Sequence, residues 1–230
     1  MGDFLLNFNC RLDSLHPLGL LVDPQLLEEI HRDLPVKWAG NSLVLGNKKF
    51  NLAPCINTVQ IDGPIPAPLF RRRLRQLEKY LNVFGRESEF FSADLQQMNQ
   101  IFQKEPGAPP RFRGEAVNFL RHFGEGPGLT PAFDDFFAGV LLVDRLLGMD
   151  RFVTSNSFWE KLKEKTTLTS WWQLKFADEG RFSLRFEKFI ADLMSGDLTA
   201  SRSLRCLRFG HSSGTDICRG IYFYLSKIHL

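Results

Sequence analysis

No two of the four cysteines, Cys10, Cys55, Cys206 and Cys218, form a C-x-x-C pair. That spacing argues against a cysteine zinc site, and the scatter fits reduced, partly buried thiols better than a disulfide framework. An excess of one charge is also missing: net charge is +3, with charged residues at 24%. So mild a balance gives no basis for nucleic-acid binding. No apolar run reaches membrane-spanning length, so no membrane segment is expected. Met1-Gly2-Asp3-Phe4-Leu5-Leu6 has neither the basic start nor the cleavage site of a secretory signal. Leu6 stands where a myristoylation signal needs Ser or Thr. The expectation is a cytoplasmic protein.

Phenylalanine is abundant instead, with 22 residues, and the apolar fraction of 43% is enough for a normal core. The expected fold class is α+β, a β-rich part over residues 1–68 followed by a mostly helical part over 69–230. Residues 41–52 read as a hairpin turning near Gly46-Asn47, and 58–61 as a further short strand. Gly63-Pro64-Ile65-Pro66-Ala67-Pro68 reads as a rigid linker. Leu69, Leu74, Leu77, Tyr80, Leu81 and Phe84 then make a helical apolar stripe. Further helices are expected over about 92–103, 116–123, 157–165, 170–176, 182–194, 200–208 and 215–227, with a proline break at 106–110. Residues 136–147 are apolar nearly all round, the pattern of a buried central helix.

Two glycine-rich segments each run into an apolar helix. The first is Gly124-Glu125-Gly126-Pro127-Gly128-Leu129-Thr130-Pro131-Ala132-Phe133-Asp134-Asp135, with Gly139 following. The second is Gly210-His211-Ser212-Ser213-Gly214-Thr215-Asp216, with Gly220 following. A helix start attracts anions, because its first N–H groups have no intrahelical partner and the macrodipole is positive there. Aligning Asp135 with Asp216 puts Gly139 on Gly220, Gly128 on Phe209, Thr130 on His211 and Pro131 on Ser212. Asp and Gly four positions apart share a helix face, and Gly there admits another backbone. The two helices are therefore expected to pack near their N-terminal ends, with both loops on one side.

Thr130-Pro131 carries a helix-start signal, a capping hydroxyl before a proline at the first helical position. The preceding glycines permit positive φ and close approach of a ligand to the backbone. No Gly-Lys-Ser/Thr follows, so this is not a phosphate loop of the Walker type. The glycine spacing does not fit a dinucleotide fingerprint, and Ser212 and Ser213 lie in no G-x-S-x-G elbow. Asp134 and Asp135 either complement the helix dipole or take part in a site. Asp135 and Asp216 could share a divalent ion such as Mg²⁺. His211 could bind an anion or move a proton, or simply bond backbone within its loop. Arg71-Arg72-Arg73 with Arg75 could bind nucleic acid or an acidic partner, but on a helix they fan out and read rather as a solvated face; Trp171-Trp172 reads as core rather than a ligand platform.

The double motif resembles the AllH-like bacterial family, named for a subunit of oxamate carbamoyltransferase. The matching residues are Gly126-Pro127-Gly128-Leu129-Thr130-Pro131, Asp134-Asp135, Gly139, and Gly210-His211-Ser212-Ser213-Gly214 with Asp216 and Gly220. The resemblance implies a role in purine or allantoin catabolism, where oxalurate and phosphate give oxamate and carbamoyl phosphate. It also implies a partner subunit similar to the FdrA proteins. Similar proteins usually carry Ser directly after the Thr-Pro pair; here Ala132 and Phe133 stand before Asp134, so a hydroxyl is lost and a bulky ring is expected at the loop. Substrate binding is expected at Gly126, Gly128, Leu129, Thr130, Ser212, Ser213 and Gly214. His211 is the candidate for proton transfer, while Asp135 and Asp216 orient the loops or bind a cation. The alternative is a non-catalytic anion-binding or assembly subunit.

Overall fold

The computed structural model describes residues 7–9, 19–21, 28, 35–40, 42–51, 67–87, 119–126, 128–149, 152 and 154–227. The strands lie in the N-terminal part and the long helices follow, an α+β order with a helical C-terminal part. Strands β1 (Asn7–Asn9) and β2 (Gly19–Leu21) pair in parallel. Strands β3 (Val36–Ala39), β4 (Ser42–Leu45) and β5 (Lys48–Asn51) form an antiparallel sheet in chain order. The expected hairpin is β4–β5, with Leu45 opposite Lys48 across Gly46-Asn47. Gly46 has φ 60°, the left-handed geometry that a two-residue hairpin turn requires. The readings at 58–61, 63–66, 92–103 and 106–110 lie outside the described residues.

Helix α1 (Ala67–Phe84) takes in Ala67 and Pro68, which the sequence assigns to the linker. A proline is tolerated in a first turn because no intrahelical bond uses its missing N–H. The buried line of α1 is Phe70, Arg73, Leu77 and Leu81. Leu69 and Phe84, counted in the apolar stripe, are instead 38% and 36% exposed at its margins. Arg73 donates to the Met194 carbonyl, whereas Arg71, Arg72 and Arg75 face solvent. One arginine of the run is thus structural, while the other three neighbour one another on the exposed side of the helix, Arg75 lying four positions from Arg71 and three from Arg72.

Helix α2 (Ala132–Leu146) is the centre of the helical part, buried at every position from Phe133 to Asp144. Around it come α3 (Asn156–Lys165), α4 (Leu168–Asp178), α5 (Leu184–Ser195), α6 (Ala200–Leu207) and α7 (Ser213–Lys227). Hydroxyl caps start α3, α4 and α6: Ser155, Thr167 and Thr199 accept from Phe158, Ser170 and Arg202 N–H. Gly196, with φ 98°, ends α5. Helix α2 packs most extensively against α7 and also on α4, while α7 reaches α1 and α6. The core is rich in phenylalanine, as composition implies: Phe119, Phe123, Phe136, Phe137, Phe186 and Phe189 are all buried.

Candidate functional site

Two glycines bring the loops together. A Cβ built on Gly139 would overlap the Ile217 carbonyl oxygen and lie 3.2 Å from the Ile221 nitrogen. One built on Gly220 would overlap the Phe136 carbonyl oxygen and lie 3.1 Å from the Val140 nitrogen. Aligning Asp135 with Asp216 also matches Phe136 to Ile217 and Val140 to Ile221, so the contact is reciprocal. Only glycine permits so close a backbone approach. Thr130 meets Ser213 at the helix starts, and Tyr224 meets Asp144 near the far ends. The helices therefore run side by side in one direction, and both loops open at the same end, as the spacing predicts.

The loops differ in construction. In the first, Gly124, Gly126 and Gly128 have φ 80°, 110° and 100°, values that disfavour any side chain. A Cβ on Gly128 would meet nothing within 4 Å, and Leu129 is 73% exposed, so this loop borders open space. Thr167 Oγ1 donates to the Leu129 carbonyl and anchors the loop. Pro131, with φ −56° and ψ 149°, is itself the residue preceding the helix, and no side chain caps α2. The expected Thr130 cap is therefore replaced. The extended ψ of Pro131 lifts Thr130 out of capping position, and its hydroxyl reaches Ser213 Oγ at 3.0 Å.

The second loop spends its amides on itself. Gly214 N–H donates to the Phe209 carbonyl at 2.9 Å. Thr215 and Asp216 N–H both donate to the Ser212 carbonyl, at 2.8 and 3.0 Å. A Cβ on Gly214 would overlap the Cys206 carbonyl, so this glycine serves close packing on the end of α6. Ser212 and Ser213 are half-buried, and His211 is exposed. Among the described residues His211 is held through its carbonyl, not its ring.

Three carboxyls lie beneath the loops. Asp134 accepts from Gly124 N–H at 3.0 Å and from the Thr166 hydroxyl, so it shapes the first loop from below. Burial raises its pKa, against the lowering effect of those bonds. Asp135, 2% exposed, is hydrogen-bonded with the hydroxyls of Ser213 and Thr130. Burial pushes its pKa well above the usual carboxylate range, and the charges of Asp216 and Asp134 add to this. Its Oδ2 is buried without a hydrogen-bond partner. Asp216 is fully buried and pairs with Arg219 at 3.3 Å. Burial lowers the Arg219 pKa, partly offset by Asp216. Arg219 thus supplies the positive charge opposite Asp216. Among the described residues, no three His, Cys, Asp or Glu side chains gather as a metal site.

Arg86 and Arg219 are the site residues that sequence reasoning missed. Arg86 N–H donates to Thr215 Oγ1 at 3.0 Å, and its Nη1 donates to the carbonyls of Gly210 and His211 at 2.9 and 2.7 Å. Arg219 Nη2 donates to the Arg86 carbonyl at 3.2 Å. The chain leaving α1 is thereby strapped across the second loop. Phe133 does not stand in the loop mouth as expected. It is 2% exposed, with its ring edge-on to Phe123 at 4.9 Å and stacked near Phe119, because α2 turns that position towards the core.

Residues 122–225 match the family model of the oxamate carbamoyltransferase subunit AllH, a little under half of the 230-residue chain. The resemblance drawn from the two loops is borne out, and both loops and both helices fall almost wholly within the matched segment. No solved structure matches the chain. No helix among the described residues is long and apolar enough to cross a membrane.

Proposed function

We propose, from the AllH match over residues 122–225, that this chain is a subunit of a carbamoyltransferase of the oxamate type, serving purine or allantoin catabolism. It binds a phosphate- or carboxylate-bearing substrate where the two loops converge. The single observation that carries this is the meeting of Thr130 with Ser213 at 3.0 Å, above the buried Asp135. Hydroxyls and the uncapped start of α2 face a loop bordering open space. An anion there gains from the helix dipole and from short hydrogen bonds.

Catalysis in such a site rests on positioning and on stabilising developing negative charge. Thr130, Ser212 and Ser213 with the backbone at Gly126, Gly128 and Leu129 hold the substrate. Loop 2 contributes through its hydroxyls, since its Gly214 amide is already engaged. His211, exposed on the same loop, moves the proton. Asp135 and Asp216 fix the loops from beneath. A partner subunit similar to the FdrA proteins completes the enzyme in a cytoplasmic complex.

A non-catalytic assembly role is the second reading. The description of the matching family as a subunit of an enzyme favours it, because the chemistry then can lie in the partner chain. Thermal unfolding with phosphate, carbamoyl phosphate and oxamate, each with and without Mg²⁺, separates the two. An anion at a hundred times its Kd adds about 2.7 kcal/mol of stability, a rise of several degrees. No shift with any of them supports the assembly reading.

A further inference from the structure

We propose that Arg86, outside the segment matching AllH, is the side chain that binds the anionic group of the ligand at the second loop. The proposal rests on the reading above and adds the cation that it lacks. Three amides at the start of α7 are already bonded within their own turn, so backbone alone leaves that half of the site short of positive donors. Of the two arginines bonded to the second loop and its helix, Arg219 faces the fully buried Asp216 carboxylate at 3.3 Å, which neutralises it. Arg86 pairs with no carboxylate among the described residues and is exposed.

Its guanidinium is nevertheless fixed. Carbonyls of Gly210 and His211 hold Nη1 from one side, and two further bonds clamp its backbone N–H and C=O. An exposed arginine ordinarily loses much rotamer freedom when it binds; here part of that loss is taken in folding. With Nη1 engaged, Nε and Nη2 meet no acceptor among the described residues and form two parallel donors, the fork that matches a carboxylate or phosphate edge. A second observation places Arg86 at the same junction. It is bonded to the Gly210 carbonyl, and a Cβ built on Gly210 would lie 3.3 Å from Ser213 Oγ, the hydroxyl that is hydrogen-bonded with Asp135.

The test is calorimetric titration of the full chain with phosphate, oxamate and carbamoyl phosphate, for the native protein and for Arg86→Gln, Arg86→Lys and Arg86→Ala. Gln keeps an amide donor for the loop carbonyls but loses the charge and the fork. Expected results are binding weakened about tenfold or more in Arg86→Gln, an intermediate loss in Arg86→Lys, and partial rescue of Arg86→Ala by added guanidinium ion. The melting temperature without ligand stays near the native value in Arg86→Gln. Selective weakening of phosphate or of oxamate tells which group Arg86 holds. Native-like binding by Arg86→Gln overturns the proposal while leaving the anion site standing. Loss of binding that follows a lowered melting temperature, without guanidinium rescue, also overturns it by making Arg86 a strap only. If the native protein binds none of the three, both this proposal and the anion site fall.

Discussion

Thr130 Oγ1 and Ser213 Oγ lie 3.0 Å apart although 83 positions separate them in the chain. Both hydroxyls also engage the Asp135 carboxyl, so three side chains from two loop–helix units close one small polar cluster. The two halves of the site are held together by hydrogen bonds as well as by helix packing.

Removing either hydroxyl breaks that cluster. Thr130→Val and Ser213→Ala are each expected to cost about 1 kcal/mol of stability. The double variant is expected to cost less than the sum, since the second change has no bridge left to break. Urea unfolding of the four proteins in the cycle measures the coupling.

Gly139→Ala and Gly220→Ala each force a methyl group into a facing carbonyl oxygen. Backbone cannot yield as a side-chain tip does, so each change is expected to cost at least about 1–3 kcal/mol. Once one of them has pushed the helices apart, the other costs less. Thermal and denaturant unfolding read both values.

Tyr224 and Asp144 tie the far ends of the same helices. Asp144 is fully buried and also accepts from Arg145 at 2.9 Å and from Phe152 N–H at 3.1 Å. Tyr224→Phe removes one of the donors to this buried carboxylate and is expected to cost about 1–3 kcal/mol. Anion binding at the opposite end should be unchanged, which titration checks.

Asp135 sets a pH dependence with an unusual sign. Burial raises its pKa well above 3.8, so the folded chain holds a proton that the unfolded chain has lost. The folded state then binds more protons, and stability falls as pH rises. This contribution is full below the ordinary value and is lost as pH climbs through the raised one. Asp135→Asn removes that titration. The melting temperature of the variant relative to the native protein should therefore rise from acid to neutral pH, as a pH series of melting curves would read.

The helix crossing was legible because it depends on residue type alone. Gly139 and Gly220 stand at matched positions, and only a missing Cβ allows two backbones so close. The three glycines before Thr130 were legible for the same reason, since their positive φ excludes most side chains. The role of Thr130 was not, because whether a hydroxyl caps its own helix or bridges to another depends on the ψ of Pro131, which the residue names do not reveal. Arg86 left no signal, as its partners lie more than a hundred positions away and are two backbone carbonyls, one hydroxyl and the Arg219 guanidinium. The expected anion site with amides from both loops likewise missed that the second loop turns its N–H groups inward. Phe133 was misplaced because periodicity gives the face of a helix but not the direction in which its first turn enters the core.

The central claim is that one anion sits where the loops of Thr130 and Ser213 converge. A crystal structure of the protein soaked with carbamoyl phosphate, and separately with phosphate, tests it most directly. The account predicts density for the anion within hydrogen-bond reach of the Thr130 and Ser213 hydroxyls. Full-occupancy anion density elsewhere on the protein, with the loop junction filled by its own side chains, would contradict it.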